Sequence, residues 1–222
     1  DVWIEDGIAY SSNWADGVVA VDIGAKKHKE SDRSKSQFNP LLAKAGQGSP
    51  SNPVKLAEMK DPTGRNHAAF PYLNESTGQF YIIGGDENFP WGVQATKNKP
   101  SNPRGGYHFM NFTDPNNPRE DAIYEVPEAG SHNLWVYGDI LLAGNYQGGL
   151  RIVDISGELL GDIYKQGREI AHFLSYHKDG RIPNAPMVWG AQPYKDYIFF
   201  SDMNSGLYCV TYEDEQKTAS AQ

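Results

Sequence analysis

The sequence has 222 residues, a formal net charge of −8, and a composition in which 39% of residues are hydrophobic and 12% aromatic. With 23 Gly and 14 Pro, this composition indicates a turn-rich β protein rather than a disordered chain. The acidic balance argues against nucleic-acid binding, no apolar run reaches the roughly 18 residues of a membrane span, and a single cysteine allows no internal disulfide.

Three short strands are predicted in residues 1–24, the first with an aromatic residue, the second after a turn and the third starting at a glycine. The same three strands return in residues 133–156 without a gap in the alignment. The chain therefore contains an internal repeat, which indicates the fold class more strongly than any single motif. The matched positions are Trp3 and Trp135, Asn13 and Asn145, Gly17 and Gly149, and Val21-Asp22-Ile23 and Val153-Asp154-Ile155.

Two further copies lie between and after these segments. His67-Ala-Ala-Phe70 is aligned with His132-Asn-Leu-Trp135, and Pro186-Met-Val-Trp189 is aligned with the same four positions. A fourth strand is predicted in the segments that connect the copies, as in residues 53–58 and 121–125. Four antiparallel strands in each repeat are the unit of a β-propeller, in which neighbouring blades bury their faces against one another.

The predicted fold class is therefore all-β, a β-propeller of four-stranded antiparallel blades. The predicted blades are residues 1–66, 67–131, 132–185 and 186–212, followed by a tail at 213–222, and the last blade is expected to lack its fourth strand. Because closure usually needs complete blades, we expect these blades to be part of a larger ring of six to eight blades. The alternative is a four-bladed ring that is completed by a strand from another chain. The predicted core consists of Trp3, Trp135, Trp189, Val21, Ile23, Ile152, Val153, Ile155, Leu207 and Cys209.

The copies are longer than the roughly 40 to 50 residues usual for a propeller blade. The excess lies in three insertions, at residues 25–51, 84–105 and 157–184, which are predicted to be loops from their composition. Long loops on a rigid scaffold often carry binding contacts, so a protein or a surface component is the expected partner. The candidate contact residues in the second insertion are Phe89, Trp91 and Arg104.

The segment 132–156, with its run Gly-Gly-Leu-Arg-Ile-Val-Asp-Ile-Ser, resembles the LVIVD-repeat family of β-propellers. Thr113-Asp-Pro-Asn-Asn-Pro118 is similar to the linker that joins such blades, and residues 157–207 are similar to the C-terminal part of long exported bacterial members. The resemblance implies a bacterial protein that is extracellular, on the cell surface or periplasmic, with further blades in the same polypeptide. It implies no chemistry, since one fold hosts many functions.

His67 and His132 occupy equivalent positions directly before an innermost strand, so both are expected to face the central channel. Two neutral imidazoles that converge there could bind a divalent transition metal. The competing interpretation, favoured because the position is repeated across the family, is that each histidine fixes a turn through a hydrogen bond to the backbone.

Asp86-Glu87-Asn88 is an oxygen-rich triplet that could supply ligands to a cation such as Ca²⁺, whereas the simpler interpretation is a solvated turn. Asp22 and Asp154, each at the end of a third strand, are predicted to cap the turn that follows. The candidate metal ligands are thus His67, His132, Asp86 and Glu87.

Two classes of function follow from these patterns. The favoured one is a non-enzymatic binding or scaffold module that uses its loop faces or channel, and the other is a metal-dependent enzyme built on the channel histidines. The sequence contains no Gly-x-Ser-x-Gly elbow, phosphate loop or dinucleotide fingerprint. No cofactor is expected apart from a possible divalent metal, and no nucleic-acid partner is expected.

Overall fold

A computed structural model describes residues 1–28, 38–88, 105–127 and 129–213. The chain forms four sheets arranged as the blades of a β-propeller, as the repeats predicted. Strands and blades are both numbered in chain order. Within each blade the strands pair antiparallel, apart from one short parallel strand at the edge of blade 2.

The strands of each blade follow one another from the axis outward. Blade 1 consists of β1 (Val2–Glu5), β2 (Ile8–Ser12), β3 (Val18–Asp22) and β4 (Val54–Met59). Blade 2 consists of β5 (Asn66–Asn74), β6 (Gln79–Asp86), β7 (Gly106–Asn111), β8 (Arg119–Glu125) and the parallel β12 (Gly161–Asp162). Blade 3 consists of β9 (Leu134–Tyr137), β10 (Ile140–Gly144), β11 (Leu150–Asp154) and β13 (Glu169–Phe173). Blade 4 consists of β14 (Val188–Tyr194), β15 (Tyr197–Asp202) and β16 (Gly206–Val210).

The glycine that opens the third strand is required by the backbone. Gly17 and Gly149 have φ angles of 75° and 78°, in the left-handed region that favours glycine. A Cβ atom at Gly17 would lie 2.2 Å from the carbonyl oxygen of Met59, and one at Gly149 would lie 2.3 Å from that of Phe173. The repeated glycine therefore lets the third strand turn closely under the outermost strand of its blade.

Each pair of successive blades encloses its own apolar layer, because alternate residues of a strand point to opposite faces of a sheet. Tyr10 and Val18 of blade 1 pack with Ile82 and Met110 of blade 2. The layer between blades 2 and 3 holds Tyr107, Phe109, Leu141 and Val153, and the layer between blades 3 and 4 holds Leu142, Leu150, Ile198 and Phe200.

The insertion after β3 is more ordered than its polar composition indicates. Its described part contains a short 3₁₀ helix, Pro40–Ala43, whose Leu41 and Leu42 are buried in the layer between blades 1 and 2. Asp22 holds this insertion, since its two carboxylate oxygens accept hydrogen bonds from five backbone N–H groups, those of Gly24, Ala25, Gly46, Gln47 and Gly48. The predicted capping role of Asp22 is confirmed, and it extends across the insertion.

Three rings close the axis near its middle. The ring centroids of Trp3 and Phe70 are 4.2 Å apart, and those of Trp3 and Trp135 are 4.8 Å apart. Trp135 pairs with Leu142 and Phe70 pairs with Ile83, and these two partners each lie opposite the residue two positions before the end of the third strand of their blade. The predicted equivalence of Phe70 and Trp135 is therefore confirmed.

The alignment of blade 4 was wrong by a few residues. The hairpin of blade 3 closes at the pair Tyr137 and Ile140, and that of blade 4 at Tyr194 and Tyr197. Counted back equally from these two turns, Trp189 takes the place of His132, and Gln192 takes the place of Trp135. The ungapped comparison placed Trp189 on Trp135 because both are tryptophans, although Trp189 lies at a β-bulge that matches the one at His67 in β5.

Other predictions about the last two blades were also wrong. Trp189, Leu207 and Cys209 are exposed rather than buried, because they lie at the axis or on the face of blade 4 that points away from blade 3. The insertion at residues 157–184 is not only loop, since it supplies β12 and β13, the latter being the outermost strand of blade 3.

Candidate functional site at one end of the axis

His67, Glu87 and His132 converge at one end of the propeller axis, and we call them the axis cluster. The ring centroids of the two histidines are 4.2 Å apart. Nδ1 of His67 lies 3.4 Å from one oxygen of Glu87, and Nε2 of His132 lies 3.9 Å from the other. One ligand atom from each of the three side chains lies within 4.8 Å of the others.

The inner strands place these groups. His67 sits at a β-bulge near the start of β5, and His132 lies two residues before the start of β9, so both rings point along the axis rather than into an apolar layer between blades. Glu87 directly follows β6, the strand that pairs with β5. The convergence of the two histidines is therefore a consequence of the repeat, as the sequence predicted.

His132 is anchored through one nitrogen and leaves the other available. Its Nδ1 lies 3.1 Å from the carbonyl oxygen of Trp189, and since a carbonyl only accepts, Nδ1 carries the hydrogen. The lone pair then resides on Nε2, which faces Glu87. The two interpretations of this histidine are therefore compatible, because it ties down backbone and still offers a ligand atom.

Both imidazoles are neutral near pH 7. Burial and, to a smaller extent, the neighbouring His67 lower the pKa of His132 to about 4, although the charge of Glu87 opposes both effects. Burial also lowers the pKa of His67, again against the charge of Glu87. Neutral imidazoles are the form that binds metals and accepts hydrogen bonds.

Aromatic side chains surround the axis cluster. The Trp189 ring stacks on His132 at 5.1 Å with an interplanar angle of 11°, and the Tyr146 ring meets His132 edge-on at 5.5 Å. The ring centroids of Trp14 and His67 are 6.3 Å apart. The Tyr146 hydroxyl donates a hydrogen bond to Glu87. We call Trp14, Tyr146 and Trp189 the aromatic rim.

The sequence analysis did not predict the aromatic rim, although the repeat contains a pattern that indicates two of its residues. Trp14 and Tyr146 occupy matched positions of the two aligned copies, one residue after Asn13 and Asn145. They have φ angles of 53° and 44°, unusual for aromatic residues and often found at functional sites. Each bridges to the next blade, Trp14 to Asn66 and Tyr146 to Val188. An aromatic residue repeated just before the turn glycine could have identified them.

Asp86 is not part of the axis cluster, contrary to the prediction that grouped it with the histidines. It is the last residue of β6 and its carboxylate is buried, 3.3 Å from Nε2 of His108. The interpretation of residues 86–88 as a solvated turn is also wrong, because Asp86 is buried and Asn88 bridges to Ser131 of the next copy. The candidate loop contacts Phe89, Trp91 and Arg104 lie outside the described residues.

No protein-family model and no curated protein matches the chain. Among solved structures, the computationally designed Ika4 protein is 10% identical with a TM-score of 0.46, over 96% of this chain and 89% of that one. The AfRom2 CNH domain is 12% identical with a TM-score of 0.35, over 96% of this chain and 58% of that one. Within the described residues, no helix is long and apolar enough to cross a bilayer.

Proposed function

We propose that this protein is a non-enzymatic binding or scaffold module that holds a protein or a surface component at the aromatic rim, in an extracellular, cell-surface or periplasmic location. The β-propeller fold supports a binding role of this general kind. The observation that carries the proposal is the rim itself, in which the exposed Trp14 and Trp189 lie beside two neutral imidazoles and the buried Tyr146 packs edge-on against one of them.

The rim has the properties of a recognition surface. Trp14 is 53% exposed and Trp189 is 41% exposed, although large aromatic residues usually bury most of their area. The backbone under Trp14 is fixed by hydrogen bonds to Asn66 and Gly17. Tryptophan and tyrosine are enriched among the residues that dominate binding energy, because they offer a large contact area at a small entropic cost.

A panned peptide library tests this proposal. A random peptide display library would be selected on the wild-type protein, and the enriched peptides would be measured against Trp14→Ala and Trp189→Ala variants. Both side chains are exposed, so the variants should fold, and we expect at least a tenfold loss of affinity, about 1.4 kcal/mol. Tyr137→Ala is the matched control, since Tyr137 is exposed at the opposite end of β9. Peptides that bind all four proteins equally would contradict the proposal.

The second candidate function is a metal-dependent enzyme built on the axis cluster. The observation that favours it is the approach of two neutral histidines and one carboxylate, a ligand set that leaves positions open for water or substrate. Elemental analysis of metal-loaded wild type and of a His67→Gln/His132→Gln variant tests it. Equal metal content in the two proteins would exclude this role for the axis cluster.

We further propose that these blades belong to a larger ring. The support is that Val2 and Ile4 on the outer face of blade 1, and Leu207 on that of blade 4, are exposed apolar residues. A cavity of about 480 Å³ at the axis is lined by residues of all four blades, and it includes Val2 of blade 1 and Leu207 of blade 4. The intact mass of the native protein tests this: about twice the 24.6 kDa of this chain would agree, and a mass near that value would contradict it.

A further inference from the structure

Asp61, Asp86 and His108 form a second group of possible ligands, which we call the buried cluster. Asp61 lies between β4 and β5, Asp86 ends β6, and His108 lies in β7. Nε2 of His108 is 3.3 Å from Oδ2 of Asp86 and 3.8 Å from Oδ1 of Asp61. The side chains of all three residues are at most 1% exposed, in contrast to the axis cluster.

A fourth residue orients the histidine. Nδ1 of His108 lies 2.7 Å from a carboxylate oxygen of Glu120 on the neighbouring strand β8. A histidine that ligates a metal commonly donates its other N–H to a carboxylate, which fixes the ring and makes the ligating nitrogen more basic. Glu120 therefore holds His108 so that Nε2 points at the two aspartates.

One oxygen of the buried cluster has no hydrogen-bond partner. Oδ2 of Asp61 accepts from the Thr63 hydroxyl and from the backbone N–H of Arg65, whereas Oδ1 is buried and accepts no hydrogen bond. A buried, unpaired carboxylate oxygen is costly, and such groups in native proteins are commonly paired or coordinate an ion. Oδ1 lies on the side of Asp61 that faces His108.

The Thr63 hydroxyl brings the two aspartates of the buried cluster together. Its oxygen lies 2.7 Å from Oδ2 of Asp61 and also 2.7 Å from Oδ1 of Asp86. A hydroxyl has one hydrogen and can donate to only one of the two carboxylates. Two buried carboxylates brought together around a single hydrogen are stabilised by a cation next to them.

We propose that the buried cluster binds one divalent first-row transition-metal ion through Oδ1 of Asp61, Oδ2 of Asp86 and Nε2 of His108. Ligands about 2.1 Å from a tetrahedrally coordinated ion lie about 3.4 Å from each other. The observed separations of 3.3 Å and 3.8 Å are close to that spacing. The ion would satisfy the orphan oxygen of Asp61 and leave Glu120 and Thr63 to orient the ligands.

The ligand chemistry and location indicate the kind of ion and its role. An imidazole with two carboxylates suits Zn²⁺ or Mn²⁺ better than Ca²⁺, which takes oxygen ligands. Asp61 belongs to the connection that leaves blade 1, whereas Asp86 and His108 belong to blade 2. The bound ion would therefore fix the connection between two blades, and a metal that binds only the folded protein stabilises it.

The experiment uses untagged protein with the His67→Gln and His132→Gln substitutions, so that the axis cluster cannot compete for metal. After treatment with a chelator and loading with Zn²⁺, elemental analysis should find one ion per chain, and thermal unfolding should shift to higher temperature. Adding Asp61→Asn, which is nearly isosteric, should abolish the bound ion and the shift. Glu120→Gln should weaken binding by about 10- to 100-fold.

The metal-free proteins distinguish an ion from a protonated histidine. Without metal, Asp61→Asn should unfold at the same or a higher temperature than its parent, because it removes a buried charge. If Zn²⁺ leaves the unfolding temperature of the parent unchanged, or if the Asp61→Asn protein still binds one ion, the proposal is wrong. If Zn²⁺ has no effect on the unfolding temperature, a protonated His108 would be the group that holds the two carboxylates together.

Discussion

The layer between blades 2 and 3 and the outer face of blade 4 are built from the same three-strand pattern, but their surroundings differ. Between blades 2 and 3, Tyr107 and Phe109 of β7 are completely buried, and the Tyr107 hydroxyl donates to the carbonyl of Gly144 across the interface. On the outer face of blade 4, Leu207 of β16 is 75% exposed and Cys209 is exposed too. An apolar strand residue thus contributes to stability only where a second blade covers it.

The largest expected effect is at the packed interface. Phe109→Ala should lower the free energy of unfolding by about 3–5 kcal/mol, because it removes a fully buried ring and leaves a cavity between two sheets. Urea-induced unfolding followed by circular dichroism measures this change. A loss below about 1 kcal/mol would show that blades 2 and 3 do not pack as described.

The next effect tests a connection that is held by hydrogen bonds rather than by packing. Asp22→Asn should cost about 3 kcal/mol, since hydrogen bonds to a charged group are worth about 1.5–3 kcal/mol each and five backbone N–H groups share this carboxylate. Asp154→Asn is the matched control, with a bond to the N–H of Ser156, and should cost about 1 kcal/mol. Equal costs in urea unfolding would show that the extra bonds at Asp22 contribute nothing.

The contrast between these regions also explains what the sequence could predict. The ungapped match between the first and third copies, together with the two further copies aligned to them, predicted four blades, because the turn glycines and apolar strands are needed in every blade. The same repeat placed His67 and His132 together. Asp86 was misplaced because sequence does not show on which side of a strand end a carboxylate falls, and its partners Asp61 and His108 come from other strands.

Blade 4 shows a second reason for error. Trp189 looked like a core residue because it matched Trp135 in an ungapped comparison, but it occupies the position in blade 4 that His132 occupies in blade 3, and its ring stacks on that histidine at the axis. Leu207 has the sequence pattern of a buried strand residue, and only the position of the neighbouring blades shows that it is exposed. Burial in a repeat protein depends on neighbours that the local pattern does not describe.

The axis cluster is expected to have an intermediate effect on the free energy of unfolding, and this effect depends on pH. Because burial lowers the pKa of His132 from 6.5 to about 4, the unfolded chain binds a proton between these pH values that the folded protein does not. The contribution of neutral His132 to the free energy of unfolding should therefore be fully present above about pH 6.5, and it should be lost as the pH is lowered toward 4. NMR titration of the imidazole in chelator-treated protein measures the pKa directly. A value near 6.5, or an unchanged pH dependence of unfolding in His132→Gln, would contradict this assignment.

The smallest expected effect is on the outer face of blade 4. Leu207→Ala should change the free energy of unfolding of this chain by less than about 0.5 kcal/mol, as at most exposed positions. Phe200→Ala is the matched control, because Phe200 lies on the adjacent strand, faces blade 3 and is 1% exposed. It should cost about 3–5 kcal/mol.

A loss of more than about 1 kcal/mol for Leu207→Ala would show that something covers this face in solution. Light scattering on the same sample then distinguishes the two explanations. A mass of two chains would identify a second copy as the cover, whereas a mass of one chain would mean that blade 4 packs against blade 1. In either case the outer face of blade 4 would be covered like the layer between blades 2 and 3. Leu207 would then be a buried core residue, as its sequence pattern predicted.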